Sequence, residues 1–154
     1  MRAIEGLQLR PARVPDAPAV ASCVCEAHVQ YIERVGRQPQ PMLEDYAAVI
    51  AASQVGVALH DDRLVGVIVM AITGDGFYVD NVAVRPAVKG RGVGRCLLEV
   101  AEAEARRLGH ASNCLATHEL MHENRALYAR CGFVEVARRV VNGFPRVFFR
   151  KSLA

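Results

Sequence analysis

Apolar residues recur along this chain at two spacings, every second position and every third or fourth, which predict strands and helices respectively. Val55, Val57 and Leu59 alternate as a strand, Asp61-Asp62 turns, and the run from Leu64 to Ile72 is apolar on both faces, as suits a central strand. Thr73-Gly74-Asp75-Gly76 turns again into a strand over Phe77 to Val84. Arg85-Pro86 stops it, because proline lacks an N–H and has a fixed φ. Val20, Val24, Ala27 and Tyr31 stripe a helix that opens at Pro15-Asp16-Ala17-Pro18, with Asp16 as N-cap, and ends near Gly36. Leu43, Ala47 and Ile50 form the inner face of a second helix, after a proline-rich loop over residues 36–42. Val93, Leu97, Ala101, Ala105 and Leu108 mark a third, about Gly92 to Leu108, closed by Gly109; a fourth runs around Asn124 to Cys131 and ends at Gly132. Short strands at Leu7 to Arg10 and Asn113 to Thr117, and a hairpin of Phe133 to Val141 and Arg146 to Arg150 about Asn142-Gly143, complete the order β-α-α-β-β-β-α-β-α-β-β. The strand-helix-strand unit through the third helix implies parallel pairing and a right-handed crossover.

The stretch from Asn81 to Gly94 carries the chemistry. A strand end, three glycines (Gly90, Gly92, Gly94) and a helix follow one another without a gap. Such a turn presents free N–H groups at the positive end of a helix, and glycine lets a ligand approach the main chain. Lys89, Arg91 and Arg95 add fixed positive charge, so the turn reads as a pyrophosphate site. It is not the dinucleotide fingerprint, since the position three after Gly92 is Arg95, and no Gly-Lys-Ser/Thr of a P-loop occurs.

Composition narrows the class of ligand. The chain has 154 residues, 52% apolar and 23% charged, which is ordinary for one globular domain, expected here over residues 1–154. A net charge of only +3 argues against a nucleic-acid partner and favours a small polyanion at the local basic cluster. Five cysteines, an odd number, sit within apolar stretches and suggest free thiols in a reducing compartment. The first residues lack the apolar run of a signal peptide, and the longest apolar run is too short to span a bilayer, so no membrane partner and a cytoplasmic location are expected.

Val82, Val84, Pro86, Gly92 and Gly94 resemble the acetyl-CoA signature of the GNAT N-acetyltransferase superfamily, a V-x-V-x-P strand end followed by [Q/R]-x-x-G-x-[G/A]. Lys89 stands where Gln or Arg is usual, but keeps a long donor. The element order is also that of this family, so the resemblance covers nearly the whole chain. It implies the GNAT fold, of class α/β (α+β): a mixed, mostly antiparallel central sheet of about seven strands flanked by about four helices. It further implies acetyl-CoA as cofactor and a small-molecule or peptide amine as acceptor; a homodimer is common in the family. Residues expected at the cofactor are Val82, Ala83, Val84, Lys89, Gly90, Arg91, Gly92, Val93, Gly94 and Arg95. Asn124 and Tyr128, four apart on one helix face, resemble the family's pair at the pantetheine arm and the thioester sulfur. Tyr128 would then protonate the departing thiolate.

Asp80 is the only acid in the strand Phe77 to Val84, and regular alternation sets it on one face with Tyr78, Val82 and Val84. An acid there is either a solvated or Arg-paired strand residue, or a general base for the acceptor ammonium. A bulge would change the parity and bring Asn81 into the cleft. Acceptor-wall candidates are Tyr31, Arg37, Met42, Asn81, His118, Phe144 and Arg146. His28, His60 and His110 read as surface or packing residues. His118-Glu119-Leu120-Met121-His122 matches H-E-x-x-H, but that motif binds zinc only inside one continuous helix, and His118 follows a strand, so no metal is expected. A zinc hydrolase and a silent acyl-CoA-binding module are the competing functions.

Overall fold

The computed structural model describes residues 5–74 and 76–153. Seven strands form one sheet in the order β1-β2-β3-β4-β5-β7-β6. They are β1 (Gln8–Pro11), β2 (Gln54–His60), β3 (Arg63–Thr73), β4 (Gly76–Val84), β5 (Ser112–His118), β6 (Val134–Val141) and β7 (Phe144–Ser152). Every pairing is antiparallel except β4 with β5, which the crossover helix makes parallel. The described helices are α1 (Ala17–His28), α2 (Tyr31–Val35), α3 (Tyr46–Ala52), α4 (Val93–Arg107) and α5 (His122–Arg130).

Two apolar clusters cover the two faces of the sheet. On one face Val93, Leu97, Ala101 and Ala105 of α4 and Tyr128 of α5 pack on Ile68, Val79 and Leu115. On the other, Val20, Cys23 and Val24 of α1 and Tyr46 of α3 pack on Val57, Val67 and Ala83. The α4 helix lies so close to β3 that a Cβ at Gly66 would sit 2.9 Å from both Leu97 Cδ1 and Val93 Cγ1.

Three local expectations change. The helix expected to run from Asp16 to Gly36 is two helices: α1 stops at His28, and an Ile32 N–H bond to the Val29 carbonyl (3.2 Å) tightens the turn before α2 continues to Gly36. Asp16 does not cap α1, because its carboxylate is taken by the Arg10 guanidinium at 2.8 and 2.9 Å and by the Arg13 N–H. The next helix starts later than its apolar pattern suggested. Asp45 accepts from the Ala47 and Ala48 N–H groups and caps α3 at Tyr46, which leaves Leu43 60% exposed and turns Tyr46, not Ala47, into the core.

Candidate functional site

The site exists because β4 and β5 part company. They pair only at Phe77–Asn113, Tyr78–Cys114 and Val79–Leu115. Past Val79, β4 stays with β3 while β5 stays with β7 to its end at His118. The inner edge of β4 is thereby left without a neighbouring strand at the middle of a sheet.

At the parting, β4 carries a bulge. Val69 pairs with Asn81 and Met70 with Val79, so Asp80 is the extra residue. The bulge reverses the parity expected from regular alternation. Val82 and Val84 pack with Phe77 and Val79 on the α4 side, not on the face of Tyr78, while Ala83 joins the α1 side. Asn81 is buried, with Nδ2 donating to the Tyr46 hydroxyl at 3.3 Å. Asp80 is exposed and, with Asn81, lines the two chambers beyond the bulge. Where the chain leaves β4, Arg85 is buried and fixed to the Leu64 carbonyl (2.6 Å) and Glu26 (2.8 Å), tying this strand end to α1.

Below the open edge lies a groove of about 600 Å³. One wall is Val82, Ala83 and Val84, then Lys89, Gly90, Gly92, Val93, Gly94 and Arg95. Gly92 is the N-cap of α4 at φ +85°, and the first intrahelical bond, Cys96 N–H to the Gly92 carbonyl, leaves the preceding helical N–H groups at the groove end without helical acceptors. Gly94 lets α4 meet α5: a Cβ there would stand 3.2 Å from Leu127 Cδ2. Arg91, expected here with its neighbours, is exposed and does not line the groove; its N–H is spent on the Val88 carbonyl at 3.3 Å.

The facing wall is α5, with Asn124, Leu127 and Tyr128. Asn124 Nδ2 reaches Thr117 Oγ1 at 3.5 Å, holding α5 to the end of β5. Tyr128 is 4% exposed, edge-on to Phe133 and Phe149, and its hydroxyl has no protein hydrogen-bond partner among the described residues. Burial raises its pKa well above the usual phenol value, so it holds its proton at neutral pH. Tyr128, Asn124, Val82 and His28 border both the groove and the first chamber, and so mark the junction between them.

That chamber, about 50 Å³, is walled by Asp80, Asn81, His118, Phe144 and Arg146, and opens beside a second of about 200 Å³ with Glu44, Tyr46 and again Asp80 and Arg146. His118 Nδ1 accepts from the Leu120 N–H at 3.1 Å, and burial lowers its pKa. A neutral His118 therefore carries its proton on Nε2 and is a donor to the chamber, not a base. Because His118 ends β5 and His122 begins α5, the two do not share one helix, and the geometry a zinc motif needs is missing. Arg37 stacks on Phe144 (3.6 Å to the ring centroid) and donates to the Asn142 carbonyl at the rim.

Three acceptor-wall candidates line neither chamber: Arg37 stays at the rim, and Tyr31 and Met42 lie elsewhere. Tyr31 lines the groove, since the break after α1 swings it toward α5, where its hydroxyl donates to Glu123 at 2.6 Å. Met42 lines neither groove nor chamber, being carried in the short turn Gln40–Leu43 before α3. The residues missed are His28, Tyr46 and Glu123. A histidine in the apolar stripe of α1 was a visible signal: His28 is buried, with Nδ1 bonded to the Val24 carbonyl at 2.9 Å. Tyr46 and Glu123 gave none, as each acts through a contact distant in sequence.

Residues 51–135 match a family model described as an acetyltransferase (GNAT) domain. Among curated proteins no sequence matches significantly. Solved structures share the fold at low identity. The PaiA N-acetyltransferase from Thermoplasma acidophilum, in complex with coenzyme A, is 17% identical with a TM-score of 0.79, over 95% of this chain and 98% of that one. The YncA structure from Salmonella typhimurium, with its cofactor acetyl-CoA, is 22% identical with a TM-score of 0.73, over 97% and 95%. The ribosomal-protein-S18-alanine N-acetyltransferase from Escherichia coli is 18% identical with a TM-score of 0.74, over 96% and 94%.

Proposed function

Since the chain belongs to the GNAT acetyltransferase family, we propose that it is an acetyl-CoA-dependent N-acetyltransferase that serves a primary amine by direct attack in a ternary complex. The observation that carries this reading is the open edge of β4, with the Gly92 turn at one end of the groove and Tyr128 where the groove meets the chambers. The fit to a diphosphate is electrostatic. Lys89, Arg95 and Arg130 line the groove, and the one acid there among the described residues, Glu123, is already engaged by Tyr31 and Arg34. The Thermoplasma and Salmonella proteins of the same fold, with coenzyme A and acetyl-CoA, support the assignment.

Acetyl-CoA, when bound, supplies an activated acetyl thioester. The N–H groups at the start of α4, together with Lys89, hold the diphosphate. Val82 to Val84 would offer their free main-chain groups to the pantetheine arm as a further strand would, and a backbone N–H there would polarise the thioester carbonyl. Asp80, directly or through a water, takes the proton of the acceptor ammonium. Tyr128, holding its proton, donates to the departing sulfur. The cysteines are not needed as nucleophiles; burial pushes the Cys23 thiol up to about 11.

The test is acetyl-CoA-dependent release of free thiol across a panel of amines. Acetyl-CoA also raises the melting temperature by mass action. Gly92→Asp, which sets a carboxylate against the diphosphate, abolishes that shift. An undiminished shift in the folded variant refutes the turn as the binding site, and tight binding without thiol release with any amine refutes catalysis in favour of a silent acyl-CoA-binding module.

A further inference from the structure

Among the described residues Arg146 is the one that lines both chambers with a positive charge, and it is half-buried. Its side chain has no ion pair and no hydrogen bond to protein among the described residues; every other described arginine without an ion pair is exposed, and the buried Arg85 is matched to Glu26. A guanidinium drawn partly out of water with no carboxylate in ion-pair contact carries a desolvation cost that an anionic ligand would offset. Its neighbours add to the field, since both Arg146 and Arg37 bear electrostatically on His118. Asp80, the acid at the β4 bulge, lines the same two chambers and likewise has no ion pair among the described residues. The acceptor space therefore holds one cation, Arg146, and two acids, Asp80 at both chambers and Glu44 at the second, none of them in an ion pair among the described residues. Its chambers, about 50 and 200 Å³, are smaller than the roughly 300–1,000 Å³ pockets that take drug-sized ligands.

We infer that the acceptor is a small zwitterion of amino-acid type, its carboxylate held by the Arg146 guanidinium and its amine directed to Asp80 and the thioester. The inference rests on the transferase reading and narrows it. A carboxylate matches the guanidinium fork in two parallel hydrogen bonds, which a neutral or purely cationic amine cannot make. At Arg146 itself a group of positive charge gains nothing and is repelled, so the acceptor's amine lies toward Asp80 and Glu44 and its opposite end toward the guanidinium. Arg146 is thus a specificity-determining residue.

The experiment compares amino acids with their decarboxylated amines and their carboxamides as acceptors, in wild type and in Arg146→Gln and Arg146→Lys. Expected for wild type is a kcat/KM higher for each amino acid than for its decarboxylated partner by about 10–100-fold, the range of a charge-assisted hydrogen-bonded contact. In Arg146→Gln that ratio falls to near one, mainly through a higher KM for the amino acids, while Arg146→Lys keeps part of it. The melting shift with acetyl-CoA persists in both variants, which reports that they are folded and loaded. Equal use of amino acid and decarboxylated amine by wild type overturns the inference, as does an Arg146→Gln variant that keeps the wild-type ratio. If nothing in the panel releases thiol, the transferase reading fails by itself. The inference is then read from binding: amino acids must raise the melting temperature of the CoA-saturated wild type and not of Arg146→Gln, and no shift in either overturns it.

Discussion

Removing the Tyr128 hydroxyl while leaving its ring separates chemistry from packing. The ring, edge-on to Phe133 and Phe149, supplies the burial, so Tyr128→Phe keeps the stability and acetyl-CoA affinity close to wild type. If the phenol serves the departing sulfur, kcat falls by roughly 10²-fold, the lower end for a positioned acid, with KM for acetyl-CoA nearly constant. Steady-state kinetics across pH checks this; full kcat in the variant would make Tyr128 a core aromatic only. Asp80 and Asn81 show how far one residue can be read alone. The acid was conspicuous in its strand, yet its neighbours' faces followed from the bulge, and the bulge is a register fact between β3 and β4.

Among the elements, α4 carries the groove's cationic end, and its seat is Gly66 on β3. An alanine there would normally gain from reduced freedom of the unfolded chain. Here its Cβ meets Val93 and Leu97, both 1% exposed, and Val93 is β-branched and stiff. Gly66→Ala is therefore expected to destabilise by about 1–3 kcal/mol, as overpacking does. Because Val93 is the first residue of α4, the displaced helix also takes the Gly92 turn with it, and KM for acetyl-CoA rises. Urea unfolding and kinetics on one preparation check both; a variant as stable as wild type with unchanged KM would show that α4 is not held by this contact. The helix itself was legible from its apolar spacing. Its closeness to β3 was not, since a glycine inside an apolar run says nothing of what stands above it.

For the whole molecule, the acid limb of stability follows from carboxylates held below their usual range. Arg10, by hydrogen bond and charge, together with the Arg13 N–H, lowers Asp16 to about 2; hydrogen bonds from Lys151, Arg107, Tyr31 and Arg138 lower Glu102, Glu104, Glu123 and Glu135. A group with a depressed folded pKa stabilises fully above its unfolded value and loses that contribution as pH falls through the folded one. The Asp16 share is present above about pH 4 and disappears toward pH 2. With Arg10 32% and Asp16 17% exposed, solvent screening leaves about 1 kcal/mol. Asp16→Asn is expected to be less stable by that amount at pH 7, and the gap to wild type to close between pH 4 and 2 in denaturant titrations. A constant gap would assign the loss to packing. No helix among the described residues is long and apolar enough to cross a membrane.

The sequence by itself determined what depends on near neighbours: the order of strands and helices, the turn at Gly90, Gly92 and Gly94, and the shared face of Asn124 and Tyr128. Each is written within one helical turn or one strand, where spacing translates directly into direction. Tertiary structure decided what depends on register and on crossing elements. The bulge at Asp80 set which β4 side chains face α4, and the parting of β4 from β5 created the groove. A turn after His28 moved Tyr31 from the acceptor side to Glu123, and an N-cap at Asp45 turned Tyr46 toward Asn81. Arg146 stood among the acceptor-wall candidates from the start; only with its surroundings assembled is it seen in the cleft out of ion-pair contact with any carboxylate among the described residues, because whether a charge is paired is a property of the packed chain and not of its order.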